Sequence, residues 1–514
     1  MRALLRPLLR SVLAAAALAM PCSLAAQGTP VSIDTAPPPI QHEFRGVWVA
    51  TVGNIDWPSR PGLSTWEQQS ELLALLNRAV AMHLNAVVFQ IRPMTDALYE
   101  SHLEPWSPFI TGEMGRPPEP RYDPLAFAVR EAHARGLELH AWFNPYRALY
   151  AGPLRDVAPS HVSQKDSALV RDYGKYEWLD PGDPRVVRHS IDVITDVVRR
   201  YDVDGVHIDD YFYPYPEADS AHHEIDFPDS ASWARYVNEG GTLSRADWRR
   251  QNVSHFVERM YHAVHAVKPW VKVGVSPFGL WQPGSPAGSC CFDAYAKLYA
   301  DSRLWLQKGW MDYVSPQLYW STTRKGLEYP TLLSWWAQQD TLGRHLWPGV
   351  NASLARDTAP KGRGAAELLD EIAQTRKEPR AGGVVLWNMK ALIQNPDSVT
   401  DKLASTLYAE PALVPATPWL DHRTPPTPRI DVRRGEMSGD LFVDLHPASS
   451  HKPWLWVVQT RTDSGWTTVI LPGSEKMHLL AGRHDAIPLD VRVRAVGRTG
   501  NLSHEVRAVM SGTR

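Results

Sequence analysis

Short β-rich runs alternate with longer helical patterns eight times through most of this chain. No other feature of the sequence constrains the fold as strongly. Strands are expected at 46–52, 86–91, 138–143, 205–209, 272–276, 313–317, 346–351 and 383–387. Helical spacing follows at 66–82, 124–135, 184–200, 243–267, 295–307, 331–342, 365–375 and 396–407. Eight strands, each trailed by a helix over about 360 residues, make the pattern of an α/β protein of the (β/α)8 TIM-barrel class with insertions. The competing doubly wound sheet normally carries a Gly-rich phosphate loop after its first strand, and none is present.

The barrel is expected over 40–410. Prolines 411, 415, 418, 425, 426 and 428 then crowd a stretch, 411–428, that regular helix cannot cross, so it reads as a linker. Beyond it, short alternating runs separated by turns such as Ser438-Gly439-Asp440 predict a small all-β sandwich over 429–510. Its expected character is immunoglobulin or fibronectin type III-like. At the other end, Arg2, Arg6 and Arg10 precede an apolar run too short to span a bilayer, then small residues. This is a signal peptide over 1–26 and implies an exported, periplasmic protein. A second reading lipidates Cys22 and tethers the protein to the outer membrane, although Pro21 stands where that signal normally has a small residue.

The adjacent Cys290 and Cys291 are read as loop thiols or, in an oxidising compartment, as a vicinal disulfide. With 54 basic and 56 acidic side chains the net charge is −2, which removes the electrostatic footprint of a nucleic-acid binder. The 44% hydrophobic content excludes general disorder, and 21 Trp with 18 Tyr suit stacking on sugar rings.

In a TIM barrel, chemistry sits at the carboxyl ends of the strands, and alternation along each strand selects what faces inward. One parity gives Gln90 and Arg92 on the second strand, His140, Trp142 and Asn144 on the third, His207 and Asp209 on the fourth, and Gln317 and Tyr319 on the sixth. Polar groups at corresponding ends of four strands form a constellation rather than an isolated motif. Its densest part runs from Asp204 through His207, Asp209, Asp210, Tyr211, Tyr213 and Tyr215 to Pro216. Asp209 is expected to face the mouth, whereas Asp210 would point outward or cap the loop.

Tyr211 and Tyr213 would wall a sugar subsite or pack the loop. Tyr146 and Arg147 follow the third strand, and Trp320 and Trp387 would serve as subsite floors or as core. Asp209 is the first candidate for a catalytic carboxyl group and Asp210 the next in that motif. Asp96 would complete a carboxylate pair, with Glu217, Glu224, Asp226 and Asp293 as other partners, or the acetamido group of a substrate would assist a single protein acid. No resident cofactor is expected; a metal alternative would draw on His140, His207 and Asp209.

At these residues the chain resembles a known family. Arg45-Gly-Val-Trp-Val-Ala-Thr51, Phe89-Gln-Ile-Arg-Pro93, Ala141-Trp-Phe-Asn-Pro-Tyr-Arg147, His207-Ile-Asp-Asp-Tyr-Phe-Tyr-Pro214 and Ser315-Pro-Gln-Leu-Tyr-Trp320 together resemble glycosyl-hydrolase-like family 10, over roughly residues 40–410. These are exported bacterial TIM-barrel proteins, among them a divisome-associated peptidoglycan glycan hydrolase. The resemblance implies glycosidase chemistry on a bacterial cell-wall glycan, most of all peptide-free peptidoglycan strands, with a cell-division or envelope protein as a partner for the C-terminal domain. Two other classes stay open: a non-catalytic glycan-binding barrel, and a metal-dependent polysaccharide hydrolase or deacetylase.

Overall fold

β1 (Phe44–Val49), β2 (Ala86–Arg92), β3 (Glu138–Phe143), β4 (Gly205–Ile208), β5 (Lys272–Val275), β6 (Tyr313–Val314), a split β7 (His345–Leu346 and Gly349–Asn351) and β8 (Gly383–Trp387) pair in parallel in the computed structural model. It describes residues 36–150, 156–356, 362–436, 438–448, 450 and 452–509; the expected signal segment, with Cys22, lies outside them. The two pieces of β7 close the cylinder. His345–Leu346 pairs with β6, and Gly349–Asn351 pairs with β8. Pro348 has no N–H to give the ladder, so the strand breaks there. Its carbonyl still accepts from Val385 N at 3.0 Å, and Trp347 N donates to Val314 O at 2.9 Å.

Alternation sorts each strand between two cores. Phe44, Trp48, Ala86, Val88, Trp142, Tyr313 and Val385 fill the barrel interior. Val47, Val49, Val87, Phe89 and Ile91 face the surrounding helices. The helices start where the side chains dictate. Ser64 and Glu67 form a reciprocal cap before Thr65–Ala81. Asp123 and Asp183 cap Pro124–His133 and Pro184–Arg200, each with Pro at the first helical position.

Past residue 428 two antiparallel sheets share one apolar core, including Val443 and Leu445 from one and Trp456, Val458, Val491 and Val493 from the other. The proline-rich stretch before them is packed rather than loose. Leu413 exchanges backbone hydrogen bonds with Gln41 and Glu43 at 2.9 Å, and Trp419 Nε1 donates to Asp312 Oδ1 at 2.7 Å. Arg498, from the sandwich, reaches Asp204 at the start of β4 with an N–O distance of 2.7 Å and lies over Trp454. Cys290 and Cys291 are free and exposed. No helix among the described residues is long and apolar enough to cross a membrane.

Candidate active site

A cavity of about 690 Å³ opens at the carboxyl ends of the strands. Every barrel strand supplies a lining residue near its carboxyl end, inside it or shortly past it: Trp48, Gln90, Trp142, Asp209, Ser276, Gln317, Asn351 and Trp387, in order from β1 to β8. Arg147, Asp210, Tyr211, Tyr319 and Tyr176 join them from loops and from an inserted three-stranded sheet.

Asp209 is 5% exposed. It accepts from Trp142 Nε1 at 3.1 Å and, more weakly, from Tyr211 N at 3.4 Å. Burial, reinforced by the charge of Asp210, pushes its pKa up to about 7, against Arg147 and Trp142, which favour the ionised form. Asp210 was expected to point outward, yet it lines the same cavity. β4 ends at Ile208, and beyond it the chain is no longer a strand, so alternation stops governing direction. Burial raises its pKa as well, opposed by hydrogen bonds from Tyr215 and Gln317. Arg147 lies over the Tyr211 ring at 4.3 Å, fixing a cation beside both carboxyls.

Gln90 is held rigidly. Its Oε1 accepts from Thr51 N and Val52 N at 2.9 Å each, which leaves Nε2 without a partner at the cavity wall. Ser276 Oγ, also lining the cavity, is likewise unpartnered. The Trp387 ring centroid lies 6.2 Å from that of Trp48 and 6.3 Å from that of Trp142, so three indoles gather beside Asp209.

Beneath this floor runs a polar column along the barrel axis. Trp48 Nε1 donates to His207 Nε2 at 3.1 Å; the Tyr313 hydroxyl then bridges His207 Nδ1 (3.0 Å) and His140 Nδ1 (2.8 Å). His140 Nε2 meets Glu138, which Lys272 also binds at 2.8 Å. Burial drives the pKa of His207 far down, so the ring is neutral. Because Nε2 accepts from Trp48, Nδ1 carries the proton and donates to Tyr313. Two glycines make room. A Cβ at Gly274 would fall 1.8 Å from the Tyr313 ring, and one at Gly205 would fall 2.5 Å from His140. His207 therefore supports the floor rather than lining the cavity. The two histidines spend their nitrogens inside this column, and the described residues contain no group of three or more His, Cys, Asp or Glu able to hold a metal ion.

A family model described as Glycosyl hydrolase-like 10 matches residues 43–352. The chain belongs to the glycosyl hydrolase-like 10 family. It is 38% identical over 417 residues to Glycosyl hydrolase YngK of Bacillus subtilis (strain 168), covering 79% of this chain and 80% of that protein. It is 37% identical over 314 residues to Glycosyl hydrolase DigH of Escherichia coli (strain K12), covering 57% of this chain and 69% of that one. Among solved structures it is similar to the PgaB (BpsB) glycoside hydrolase domain from Bordetella bronchiseptica. That match has a TM-score of 0.45 and 16% identity, and covers 71% of this chain and 98% of the other.

Several expected site residues of this glycosyl hydrolase-like barrel lie elsewhere. A register shift between Gln90 and Arg92 turns Arg92 off the inward parity. It is buried against Glu104, with Nε 2.8 Å from a carboxylate oxygen, and donates to Asn144 O at 2.6 Å. Asp96 is fully buried behind the wall, accepting from Met94 N at 2.8 Å. Asn144 caps its own turn through Tyr146 N and Arg147 N. Tyr146 packs on Phe256, Tyr213 on Phe227 and Tyr299, and Trp320 on Phe278.

The other carboxylates weighed as partners are engaged away from the cavity. Glu224 pairs with Lys297, Asp226 with Arg249, Glu217 with Lys175, and Asp293 caps a helix. Residues not anticipated are Trp48, Ser276, Asn351 and Tyr176. The first three obey the alternation rule on strands 1, 5 and 7, where their neutral character raised no flag. Tyr176 arrives from an insertion that strand periodicity does not describe.

Proposed function

We propose that this protein is an exported, periplasmic glycoside hydrolase that cleaves a bacterial cell-wall glycan, with peptide-free peptidoglycan strands as its substrate and Asp209 as the proton donor. The observation that carries this reading is the buried Asp209 carboxyl group, next to Asp210 in an aromatic-walled cavity at the strand ends, where burial pushes its pKa up to about 7. A leaving sugar oxygen needs an acid that still holds its proton near neutrality, and burial beside Asp210 supplies one. Tyr211, Tyr319 and Trp387 offer ring faces for sugar stacking, and Gln90 Nε2 and Ser276 Oγ offer polar contacts for its hydroxyls. Names of relatives support the same class, both being called glycosyl hydrolases.

The test is incubation of peptide-free glycan strands with wild type and Asp209→Asn, with soluble products read by mass spectrometry. Short glycans from wild type and a fall of roughly 10²- to 10⁴-fold in the variant are expected. The second reading is a barrel that binds glycan without cutting it. It is favoured by one feature: the described residues place no carboxylate on the cavity wall opposite Asp209 and Asp210. Strand binding with no release from wild type would select it.

A further inference from the structure

Glycoside hydrolysis with two protein carboxylates places them on either side of the scissile bond, about 5–9.5 Å apart. This cavity is built otherwise. Among the described residues its only carboxyl groups are the sequence neighbours Asp209 and Asp210, on one wall, and they share the Arg147 cation. Strands β6, β7 and β8 present Gln317, Asn351 and Trp387, none of which attacks an anomeric carbon or takes a proton from water at neutral pH. An acid is present, and a second carboxylate follows it in sequence on the same wall; the described residues place no protein nucleophile on the far side.

Resting on the glycosidase reading above, we infer that the nucleophile is the substrate's own 2-acetamido group, so that the site takes 1,2-trans 2-acetamido glycosides. The carbonyl oxygen of that group attacks C1 from the face opposite the leaving sugar. The C1–O bond to that sugar breaks, its electron pair going to the departing oxygen, which takes the proton from Asp209. Asp210 receives the amide N–H, whose partial positive charge grows as the oxazolinium ring closes. Water then adds at C1 on the face the leaving group vacated. It gives its proton to the Asp209 carboxylate and reopens the ring, so the acetamido group is restored and the anomeric configuration retained.

Three features suit these roles. Asp209 and Asp210 are adjacent and differently held: Asp209 by Trp142, and Asp210 by Tyr215 and Gln317. The indoles of Trp48, Trp142 and Trp387 line the cavity beside Asp209 and present apolar ring surface there, which suits an acetyl methyl better than a sugar hydroxyl. Gln90 Nε2, fixed by the two amides on its oxygen, supplies a neutral donor at the same wall without adding a competing nucleophile.

The experiment compares β-linked oligomers bearing acetamido, mono-, di- and trifluoroacetamido groups, together with fully de-N-acetylated oligomers. The product anomer is followed by NMR. Fluorination weakens the amide oxygen as a nucleophile, so the rate is expected to fall stepwise, by about 10³-fold across the series. De-N-acetylated oligomers are expected to remain uncut, and the first-formed product to be the β-anomer. Asp210→Asn should lower the rate on the acetamido substrate at least tenfold while a cyclic thiazoline mimic of the intermediate still binds wild type in calorimetry. Equal cleavage of acetylated and de-N-acetylated oligomers, or an inverted product, would overturn the acetamido role and leave the glycosidase reading standing. Release from no oligomer, with no thiazoline binding, would sink both.

Discussion

Trp142 donates its indole N–H to Asp209 across 3.1 Å, tying the end of β3 to the carboxyl just beyond β4. That bond favours the ionised carboxylate, so it works against the burial that raises the Asp209 pKa. Trp142→Phe keeps an aromatic wall and deletes the donor. The Asp209 pKa is expected to rise, moving the alkaline limb of kcat/KM to higher pH, which a pH–rate profile reads directly. An unmoved limb would remove Asp209 from the role of acid.

The same carboxyl leaves a mark on stability. Its folded pKa, about 7, stands above the unfolded value of 3.8. The stability it contributes is therefore complete below pH 3.8 and is lost as pH rises through 7. Asp209→Asn has no charge to bury. Relative to wild type, its melting temperature should change little at pH 4 and rise by on the order of 2 °C at pH 8, by differential scanning fluorimetry.

Tyr313→Phe should preserve ring packing against Trp347 while stripping His140 and His207 of their shared hydroxyl. Two buried imidazole nitrogens then lack partners, at about 1–3 kcal/mol each. Urea unfolding is expected to show a loss of about 2 kcal/mol or more.

Arg498→Ala tests the junction of barrel and sandwich. Against the burial that would raise it, Arg498 and His133 hold the Asp204 carboxyl well below the usual carboxylate range. A depressed pKa gives stability above the unfolded value and loses it as pH falls through the folded one. Without Arg498 the folded pKa climbs, so acid unfolding should begin at higher pH. Stability at pH 7 should drop by about 3 kcal/mol, with the pH of half-unfolding followed by near-UV circular dichroism.

Arg92→Met is expected to damage the fold rather than substrate affinity. Arg92 and Glu104 have side chains only 1% and 2% exposed. Without Arg92 the buried Glu104 carboxylate keeps only His189, 2.8 Å away, as a partner, and losing the guanidinium costs about 3 kcal/mol. A variant that kept wild-type stability and lost only KM would contradict this assignment.

The strand–helix rhythm is readable because β1 to β6 are buried on both faces, β7 and β8 nearly so, and the runs are short and largely apolar. Where the reading failed, a local cause is visible. β6 stops at Val314 rather than 317 because Pro316 cannot join the ladder, and Pro348 splits β7. Inward parity agrees with the cavity positions of Gln90 and Trp142, and Asp209 and Gln317 reach the same cavity from just past their strand ends. It failed for Arg92 at the register shift and for Asp210 past the strand end. Aromatic residues in the loop after β4 looked alike as letters. Tyr211 faces the cavity and Tyr213 the core because of long-range packing on Phe227 and Tyr299, which sequence spacing does not encode.

The axial column from Trp48 to Lys272 has a consequence for how this barrel changes over time. Each member satisfies the next, and Gly205 and Gly274 are already closed to any larger side chain by the rings above them. A single replacement strands an atom in a dry interior, so drift through one-residue steps is blocked and only concerted exchange of several members is open. The mouth is lined in part by loop residues and by Tyr176 of the inserted sheet, which lie outside this column. Substitutions at those rim positions therefore change the cavity wall without stranding a member of the column beneath.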